Sequence, residues 1–147
     1  MQEQLLIPLV QLDHELNVPK YAYPGDGGVD LQSVEEVTLA PFERKLISTG
    51  ISIALPEGFA AFVIPRSGLA IKHGISLVNT PGLIDSNYRG EIKVIAINLD
   101  AHEPFEIKRG DRIAQLVVMR VENIAFDTVA QLPQTLRGSG GFGSSGL

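Results

Sequence analysis

Short apolar runs, separated by segments rich in glycine, proline, aspartate and asparagine, make up most of this chain. Turn-forming residues at such frequent intervals are typical of sheets with short strands, because each strand must end in a turn before the next begins. No stretch keeps the helical period that a long amphipathic helix requires. The pattern predicts a mostly β sandwich or barrel with strands at residues 5–10, 37–39, 51–55, 59–64, 75–78, 92–99 and 113–121.

Two segments support more detailed predictions. Ile95, Ile97 and Leu99 alternate with smaller or polar residues, which places three large aliphatic side chains on one face of a strand. We expect that face to be part of the core. The one predicted helix is short, with Ser67 as its N-cap and its end at Gly74.

The segment Thr80-Pro81-Gly82-Leu83 predicts a hairpin. Proline and glycine occupy the two central positions of a type II turn there, so residues 75–79 should pair with residues 83–85. From Gln134 onward the composition changes to glycine and serine. We therefore predict a β domain at 1–133, followed by a flexible glycine-rich arm at 134–147.

Composition excludes several classes of protein. The chain has 147 residues and no cysteine, which fits one domain and excludes disulfides and thiolate metal sites. Its net charge of −5 argues against a broad nucleic-acid surface. The first ten residues lack the basic start of a signal peptide and the length of a membrane span. We expect a cytoplasmic protein with no membrane or nucleic-acid partner, whose ligand is at most a small, locally bound anion.

Candidate polar groups lie near the ends of the predicted strands. Asp26 and Asp30 stand four residues apart in a glycine-rich turn, which suits either a solvated loop or a Mg²⁺ site completed by substrate phosphates. The segment Pro65-Arg66-Ser67-Gly68 places an arginine at a helix start, where it either caps the helix or binds an anion.

Two further segments combine charged and polar groups. In the first, Asp85 and Tyr88 stand three residues apart within residues 84–90, which form either an ordinary turn or a site that contacts a nucleoside. In the second, Arg112 and Gln115 begin a strand, whose default interpretation is a solvated edge.

The arm itself has two interpretations. Residues 137–146 contain five glycines and three serines around Arg137 and Phe142. A flexible tail has this composition. A phosphate clamp also has it, because glycine amides approach an anion closely, arginine adds charge, and an aromatic ring stacks on a flat ligand.

Five segments, in order along almost the whole chain, closely resemble the five motifs of the trimeric deoxyuridine triphosphate nucleotidohydrolase (dUTPase) family. They differ from the usual pattern in small ways: Gly27 stands where alanine is more usual, and Ser145 where threonine is common. The segments are Gly25-Asp26-Gly27-Gly28-Val29-Asp30-Leu31, Pro65-Arg66-Ser67-Gly68-Leu69-Ala70, residues 82–90, Arg112-Ile113-Ala114-Gln115-Leu116 and residues 137–146.

The resemblance implies a jelly-roll-like subunit in a homotrimer with three active sites, each built from all three chains. It implies that dUTP is hydrolysed to dUMP and pyrophosphate with Mg²⁺, which limits uracil in DNA and supplies dUMP for thymidylate synthesis. Asp85 and Gln115 would act on the water, Asp30 would hold Mg²⁺ through water, and Asp26 and Arg112 would support the site. The substrate contacts it implies are Arg66, Ser67, Gly68, Asn79, Gly82, Leu83, Ile84, Tyr88, Lys93, Arg137, Phe142, Gly143 and Ser144.

Two alternatives remain open. A deoxycytidine triphosphate deaminase of the same fold would need a carboxylate on the strand beyond Glu91, and residues 93–99 contain none. A non-catalytic nucleotide-binding or regulatory trimer would use the same pocket but would have no use for a pair of groups that activate water.

Overall fold

Short antiparallel strands account for nearly all the regular structure of the computed structural model, which describes residues 3–146. Met1, Gln2 and Leu147, at the outer ends of the predicted domain and arm, lie outside the described residues. The helix α1 (Ser67–His73) lies between the sixth and seventh strands. The strands are β1 (Leu9–Gln11), β2 (Val29–Gln32), β3 (Val37–Leu39), β4 (Arg44–Ser48), β5 (Ile51–Ile53), β6 (Phe59–Ile64), β7 (Ile75–Leu77), β8 (Gly82–Ile84), β9 (Lys93–Asn98), β10 (Phe105–Ile107) and β11 (Arg112–Arg120).

Two larger sheets enclose the core. One has the strand order β2-β11-β6-β8 and the other β4-β9-β7, while β1 pairs with β5 and β3 with β10. Leu31, Val63 and Ile113 of the first sheet join Ile47 and Val94 of the second in one buried cluster. The predicted mostly β fold with one short helix is confirmed.

The prediction for the face of β9 is wrong. Val94, Ala96 and Asn98 are buried, whereas Leu99 is 53% exposed and Ile95 and Ile97 are only half-buried. Alternation divides a strand into two faces but does not say which one is covered. The larger aliphatic side chains of β9 therefore lie on the outer face of the subunit.

The predicted hairpin after β7 is also wrong. β7 pairs with β9, and β8 pairs with β6 in the other sheet, so residues 78–81 connect two sheets. Gly82 is the first residue of β8, and it does not have the positive φ that the third residue of a type II turn requires. The Thr80–Pro81 peptide bond is cis.

The helix begins one residue earlier than predicted. Arg66 is the N-cap, with φ −92° and ψ 128°, and its side chain makes no capping hydrogen bond. Ser67 is the first helical residue, so the prediction of Ser67 as N-cap is wrong by one position. The predicted end is confirmed, because Gly74 has the left-handed conformation, with φ 67°.

Arg109 links the N-terminal segment to the turn that precedes β11 through ion pairs and hydrogen bonds. Its guanidinium contacts both carboxylate oxygens of Asp13, at 2.6 and 2.8 Å, and donates to Glu15 at 3.0 Å and to the carbonyl of Val34 at 2.7 Å. The hydrogen bond from Arg109 lowers the pKa of the Asp13 carboxyl below its usual value. This ion pair holds two segments that no strand pairing connects.

Candidate active site

A pocket of about 320 Å³ lies beside β8 and collects many of the residues that the sequence predicted. Its floor is apolar and includes Val63, Leu77 and Val94. The volume is near the lower end of the range for small-molecule sites, about 300–1,000 Å³. The predicted site residues that line it are Asn79, Gly82, Leu83, Ile84, Asp85, Tyr88 and Lys93.

The alternation of β8 places its side chains on opposite sides of the sheet. Leu83 is exposed at the pocket, whereas Ile84 is 8% exposed and belongs to the core cluster. Gly82 permits a close approach at the pocket entrance. A Cβ atom there would lie 3.3 Å from the side-chain nitrogen of Asn79 and 3.4 Å from its carbonyl oxygen. Asn79 and the β8 backbone are therefore adjacent hydrogen-bonding groups at one end of the pocket.

The loop after β8 is held by several hydrogen bonds of its own. The amide of Tyr88 donates to the carbonyl of Asp85 at 3.1 Å, and the guanidinium of Arg89 donates to the carbonyls of Ser86 and Tyr88 at 2.6 and 2.9 Å. The Tyr88 hydroxyl donates to the carbonyl of Glu91 at 2.9 Å. These bonds fix Asp85 and Tyr88 relative to each other, while the Asp85 carboxylate is exposed.

A second group, the arginine cluster, consists of Asp30, Arg66, Arg112 and Gln115. Asp30 of β2 lies opposite Gln115 of β11, and its carboxylate is 3.1 Å from Arg66 and 3.6 Å from Arg112. Arg66 also donates to the carbonyl of Arg112 at 3.0 Å. Two cations against one carboxylate leave a net positive charge, which attracts an anion. Ser67 and Gly68, both exposed, follow Arg66 directly.

Gln115 is held within this cluster by its own amide. Its Nε2 donates to the carbonyl of Pro65 at 2.9 Å, so the side chain is fixed against the segment that carries Arg66. Gly28 lies close to it: a Cβ atom at Gly28 would be 3.3 Å from the Gln115 Oε1 and 3.2 Å from the carbonyl of Leu116. Gly28 therefore lets β2 approach β11 closely.

Asp30 is suited to hold a divalent cation only through water. Both of its oxygens are engaged with arginines, which disfavours direct ligation, and residues 3–146 contain no cluster of three or more potential His, Cys, Asp or Glu ligands. Mg²⁺ often keeps several waters and takes its remaining ligands from substrate phosphates. A lone carboxylate in the outer shell fits that preference.

The supporting role that the resemblance implies for Asp26 stays a prediction, and within one chain Asp26 contacts backbone. Its carboxylate accepts a hydrogen bond from the amide of Tyr23 at 2.9 Å and closes a local turn. Within residues 3–146 it forms no ion pair, and Asp30 is the carboxylate that pairs with Arg66 and Arg112.

The arm is a third, separate group. Within residues 122–146 there is no strand or helix, and the hydrogen bonds found for residues 135–146 stay inside that segment. Arg137 donates to the carbonyl of Gly140 at 2.7 Å. Phe142 is 114% exposed with φ 49°. Gly143 and Ser144 follow in an exposed turn, and none of the hydrogen bonds found for residues 135–146 reaches either of the other groups.

Asp85 and Gln115 of one chain do not share a site. Gln115 lies opposite Ile64 on one side of β6, and Ile84 lies opposite Ala61 on the other side. Ile84 and Gln115 are therefore two strand spacings apart across the sheet and three residues apart along β6, which separates their backbones by about 14 Å. Asp85 is one residue further away, so its carboxylate and the Gln115 amide of the same chain cannot contact one water molecule.

Sequence reasoning missed Glu91 among the polar residues that line the pocket, and it gave no role to the adjacent Gly90. Glu91 lines the pocket, and its carboxylate accepts from the amide of Gly50 at 3.3 Å. Gly90 lies against the ring of Tyr88. The signal in the sequence that could have pointed to these two residues was the glycine at the end of the segment 84–90.

Comparisons with known proteins find similar sequences. The family model described as dUTPase matches residues 14–146. Deoxyuridine 5'-triphosphate nucleotidohydrolase of Nocardia farcinica is 59% identical over 140 residues, which are 95% of this chain and 85% of that protein. Within residues 3–146 no helix is long and apolar enough to cross a bilayer.

Solved structures have the same fold. The dUTPase of Staphylococcus bacteriophage 80alpha with dUPNHPP is 26% identical, with a TM-score of 0.89 over 98% of this chain and 100% of that chain. A dUTPase of the S. aureus phage phi11, whose structure describes a structural Mg(II) ion, is 22% identical, with a TM-score of 0.81 over 88% and 100% of the two chains. At that identity the second likeness shows the fold alone.

Proposed function

The chain belongs to the dUTPase family, and from this premise we propose that it hydrolyses dUTP to dUMP and pyrophosphate. The observation that carries the proposal is the pocket beside β8, which joins an exposed carboxylate, Asp85, to hydrogen-bonding groups at Asn79 and an aromatic ring at Tyr88. The product dUMP would serve thymidylate synthesis, and removal of dUTP would limit uracil in DNA.

The active unit is a homotrimer with shared sites. The separation of Asp85 from Gln115 within one chain supports this, because the two groups can act on one water only if different subunits supply them. The outer face of the β4-β9 sheet, which continues into the pocket, supports it as well: Leu46, 58% exposed, lies opposite Ile95, and both also line the pocket. An apolar face of this kind is stabilised when a second copy covers it.

Water attacks the α-phosphorus, and the bond from that phosphorus to the bridging oxygen of pyrophosphate breaks. Asp85 of one subunit orients the water and takes its proton, with help from Gln115 of a neighbour. Arg66 and Arg112, with Ser67 and Gly68 beside them, bind the phosphate oxygens. Arg137, Gly143 and Ser144 of the arm close over the same oxygens, where fixed donors stabilise charge as it moves to the leaving group.

The pocket binds the nucleoside and determines which base and sugar are accepted. Asn79 and the β8 backbone from Gly82 to Ile84 hydrogen-bond the uracil edge and discriminate against a 5-methyl group. Tyr88 packs on the deoxyribose and excludes a 2′-hydroxyl. Phe142 of the arm covers the base, and Lys93 contributes a positive charge at the pocket wall.

Mg²⁺ is the proposed cofactor, with Asp30 holding it through water. When bound, Mg²⁺ neutralises triphosphate charge and favours one conformation of the chain of phosphates. Asp30 also keeps Arg66 and Arg112 in place.

A product assay tests the proposed function. The purified protein is incubated with dUTP, dTTP, dCTP and UTP in water enriched in ¹⁸O. We expect dUMP carrying the label and unlabelled pyrophosphate, with the other nucleotides turned over about a hundredfold less efficiently. Label in pyrophosphate, orthophosphate with dUDP, or ammonia from dCTP would contradict the proposal, the last in favour of a deaminase. Binding of dUTP without turnover would favour a regulatory trimer.

A further inference from the structure

Gly90 lies directly beneath the ring of Tyr88. A Cβ atom built on Gly90 would lie 2.6 Å from Cζ and 3.1 Å from Cε2 of Tyr88, and closer still to the hydroxyl oxygen. The three nearest atoms all belong to this one side chain. Real Cβ atoms essentially never approach another heavy atom closer than 3.0 Å, so the ring occupies the space that a side chain at position 90 would need.

The backbone does not require glycine at this position. Gly90 is not among the residues with positive φ, so the left-handed conformation that favours glycine is not the reason for a glycine here. The lack of a side chain at Gly90 therefore matters for the position of the Tyr88 ring and not for the backbone conformation.

The hydroxyl end of the ring, which lies nearest Gly90, is also held by a hydrogen bond. Its hydroxyl donates to the carbonyl of Glu91 at 2.9 Å, and the amide of Tyr88 is bonded to the carbonyl of Asp85 at 3.1 Å. The side chain is otherwise 45% exposed. A displaced ring would turn toward solvent with little effect on the core, but it would lose its position at the pocket.

We propose that Gly90 is a specificity-determining residue: it provides the space in which Tyr88 lies flat, and the Glu91 carbonyl fixes the ring there against the sugar. The inference rests on the proposed contact between Tyr88 and deoxyribose. A side chain at position 90 displaces the ring, and the pocket then admits a 2′-hydroxyl. Gly90 is a positioning residue, because it acts through Tyr88 and not on the substrate.

A double-mutant cycle tests this. The ratio of kcat/KM for dUTP to kcat/KM for UTP is measured in the wild type, Gly90→Ala, Tyr88→Ala and the double variant. Both substrates are measured on the same preparation, so the ratio is independent of the fraction of folded enzyme. Gly27→Ala is the matched control, because a Cβ at Gly27 meets nothing within 4 Å and its φ is not positive.

We expect Gly90→Ala to lower the ratio about tenfold or more, since one misplaced group in a pocket changes discrimination by that order. The ratio in the double variant should lie within about twofold of the ratio in Tyr88→Ala, because a side chain at position 90 then has no ring to displace. The Gly27→Ala ratio should stay within about twofold of wild type.

An unchanged ratio in Gly90→Ala, beside a lowered one in Tyr88→Ala, would overturn the role of Gly90 alone. The same loss from Gly90→Ala with and without the tyrosine ring would overturn it too, as would failure of Gly90→Ala to fold in both backgrounds. An unchanged ratio in Tyr88→Ala would reject the sugar contact itself, and the role of Gly90 with it. Turnover of dUTP by the wild type would still stand as support for the proposed function.

Discussion

Asp85 and Gln115 are held in different ways, and the difference bears on their roles. Gln115 is fixed by a hydrogen bond from its own side chain to the carbonyl of Pro65. Asp85 is positioned by its backbone, through the loop that Arg89 and the amide of Tyr88 close. The exposed carboxylate of Asp85, on a backbone held by hydrogen bonds, suits a group that must accept a proton. The fixed amide of Gln115 suits a group that orients the water.

Replacement of Asp85 by asparagine should remove most turnover and leave binding nearly intact. We expect kcat to fall about 10²–10⁴-fold, because the amide keeps the shape of the carboxylate but cannot accept the proton. The Kd for a non-hydrolysable dUTP analogue should stay within about tenfold. Glu57→Gln, which neutralises an exposed carboxylate in a distant turn, is the matched control. Near-normal turnover in Asp85→Asn would show that another group is the base.

Replacement of Asp30 by asparagine should change the response to magnesium. A neutral amide holds outer-shell water of the cation less strongly, so we expect the Mg²⁺ concentration for half-maximal rate to rise at fixed dUTP, by about tenfold. Rates across a Mg²⁺ titration measure this. An unchanged titration curve with only a raised KM for dUTP would mean that Asp30 serves solely as the partner of Arg66 and Arg112.

Among the secondary-structure elements, β9 shows what the sequence could and could not predict. The prediction that alternate side chains of β9 face opposite sides is correct. β3 and β6 also lie at the predicted residues, because apolar runs bounded by turn residues determine strands locally. The buried face was mispredicted, since both faces of β9 are apolar and burial is a tertiary property. β4 was missed because Arg44-Lys45-Leu46-Ile47-Ser48 has too few apolar residues to stand out.

The candidate site could be predicted where motifs lie within one segment. The pocket residues near β8 come from such a segment. The pairing of Asp30 with Arg66 and Arg112 joins three separate segments, and it was not predicted. The partner of Asp26 could not be predicted, because a carboxylate in a turn bonds to whichever donor the backbone presents. The contact of Gly90 with Tyr88 could not either, since it depends on the ring's rotamer.

Removal of the arm should separate activity from stability. A truncation after Gln134 deletes residues whose hydrogen bonds stay within the deleted segment. We expect the Tm to change by no more than about 2 °C, while kcat/KM for dUTP falls at least about a hundredfold through loss of Arg137 and Phe142. Thermal melts and steady-state kinetics on the same preparation measure both. Retained activity would show that the arm is dispensable.

The Arg109 ion pair should make a pH-dependent contribution to stability. Arg109 lowers the pKa of Asp13 in the folded state, so the pair stabilises the fold above the unfolded pKa of about 3.9 and loses this effect as the pH falls through the lowered value. We expect Arg109→Met to lower the Tm at pH 7 and the difference from wild type to narrow below pH 4. Lys108→Met, which removes a charge from the same turn, is the control. A difference that stayed constant with pH would mean that packing, and not the ion pair, is responsible.

In the trimer that we propose, a single subunit holds only part of each active site and leaves much apolar surface exposed. Apolar side chains on the outer face of the β4-β9 sheet and along residues 121–136 are exposed, among them Ile124, Phe126 and Leu132. The three groups of the site lie apart in one chain. The proposed trimer would account for both features, because copies that cover the apolar surface would also supply the missing groups.

Refolding of mixed trimers tests the shared site most directly. Asp85→Ala is combined in equal amounts with Arg66→Ala/Gln115→Ala, and the two inactive proteins are unfolded and refolded together. If each site takes Asp85 from one subunit and Arg66 and Gln115 from another, every mixed trimer holds one complete site in three, and activity should return to about a quarter of refolded wild type. The same proteins mixed without unfolding should stay inactive. If one chain supplied all these groups, no mixture would contain a complete site, so persistent inactivity in mixed trimers confirmed by mass would contradict the account.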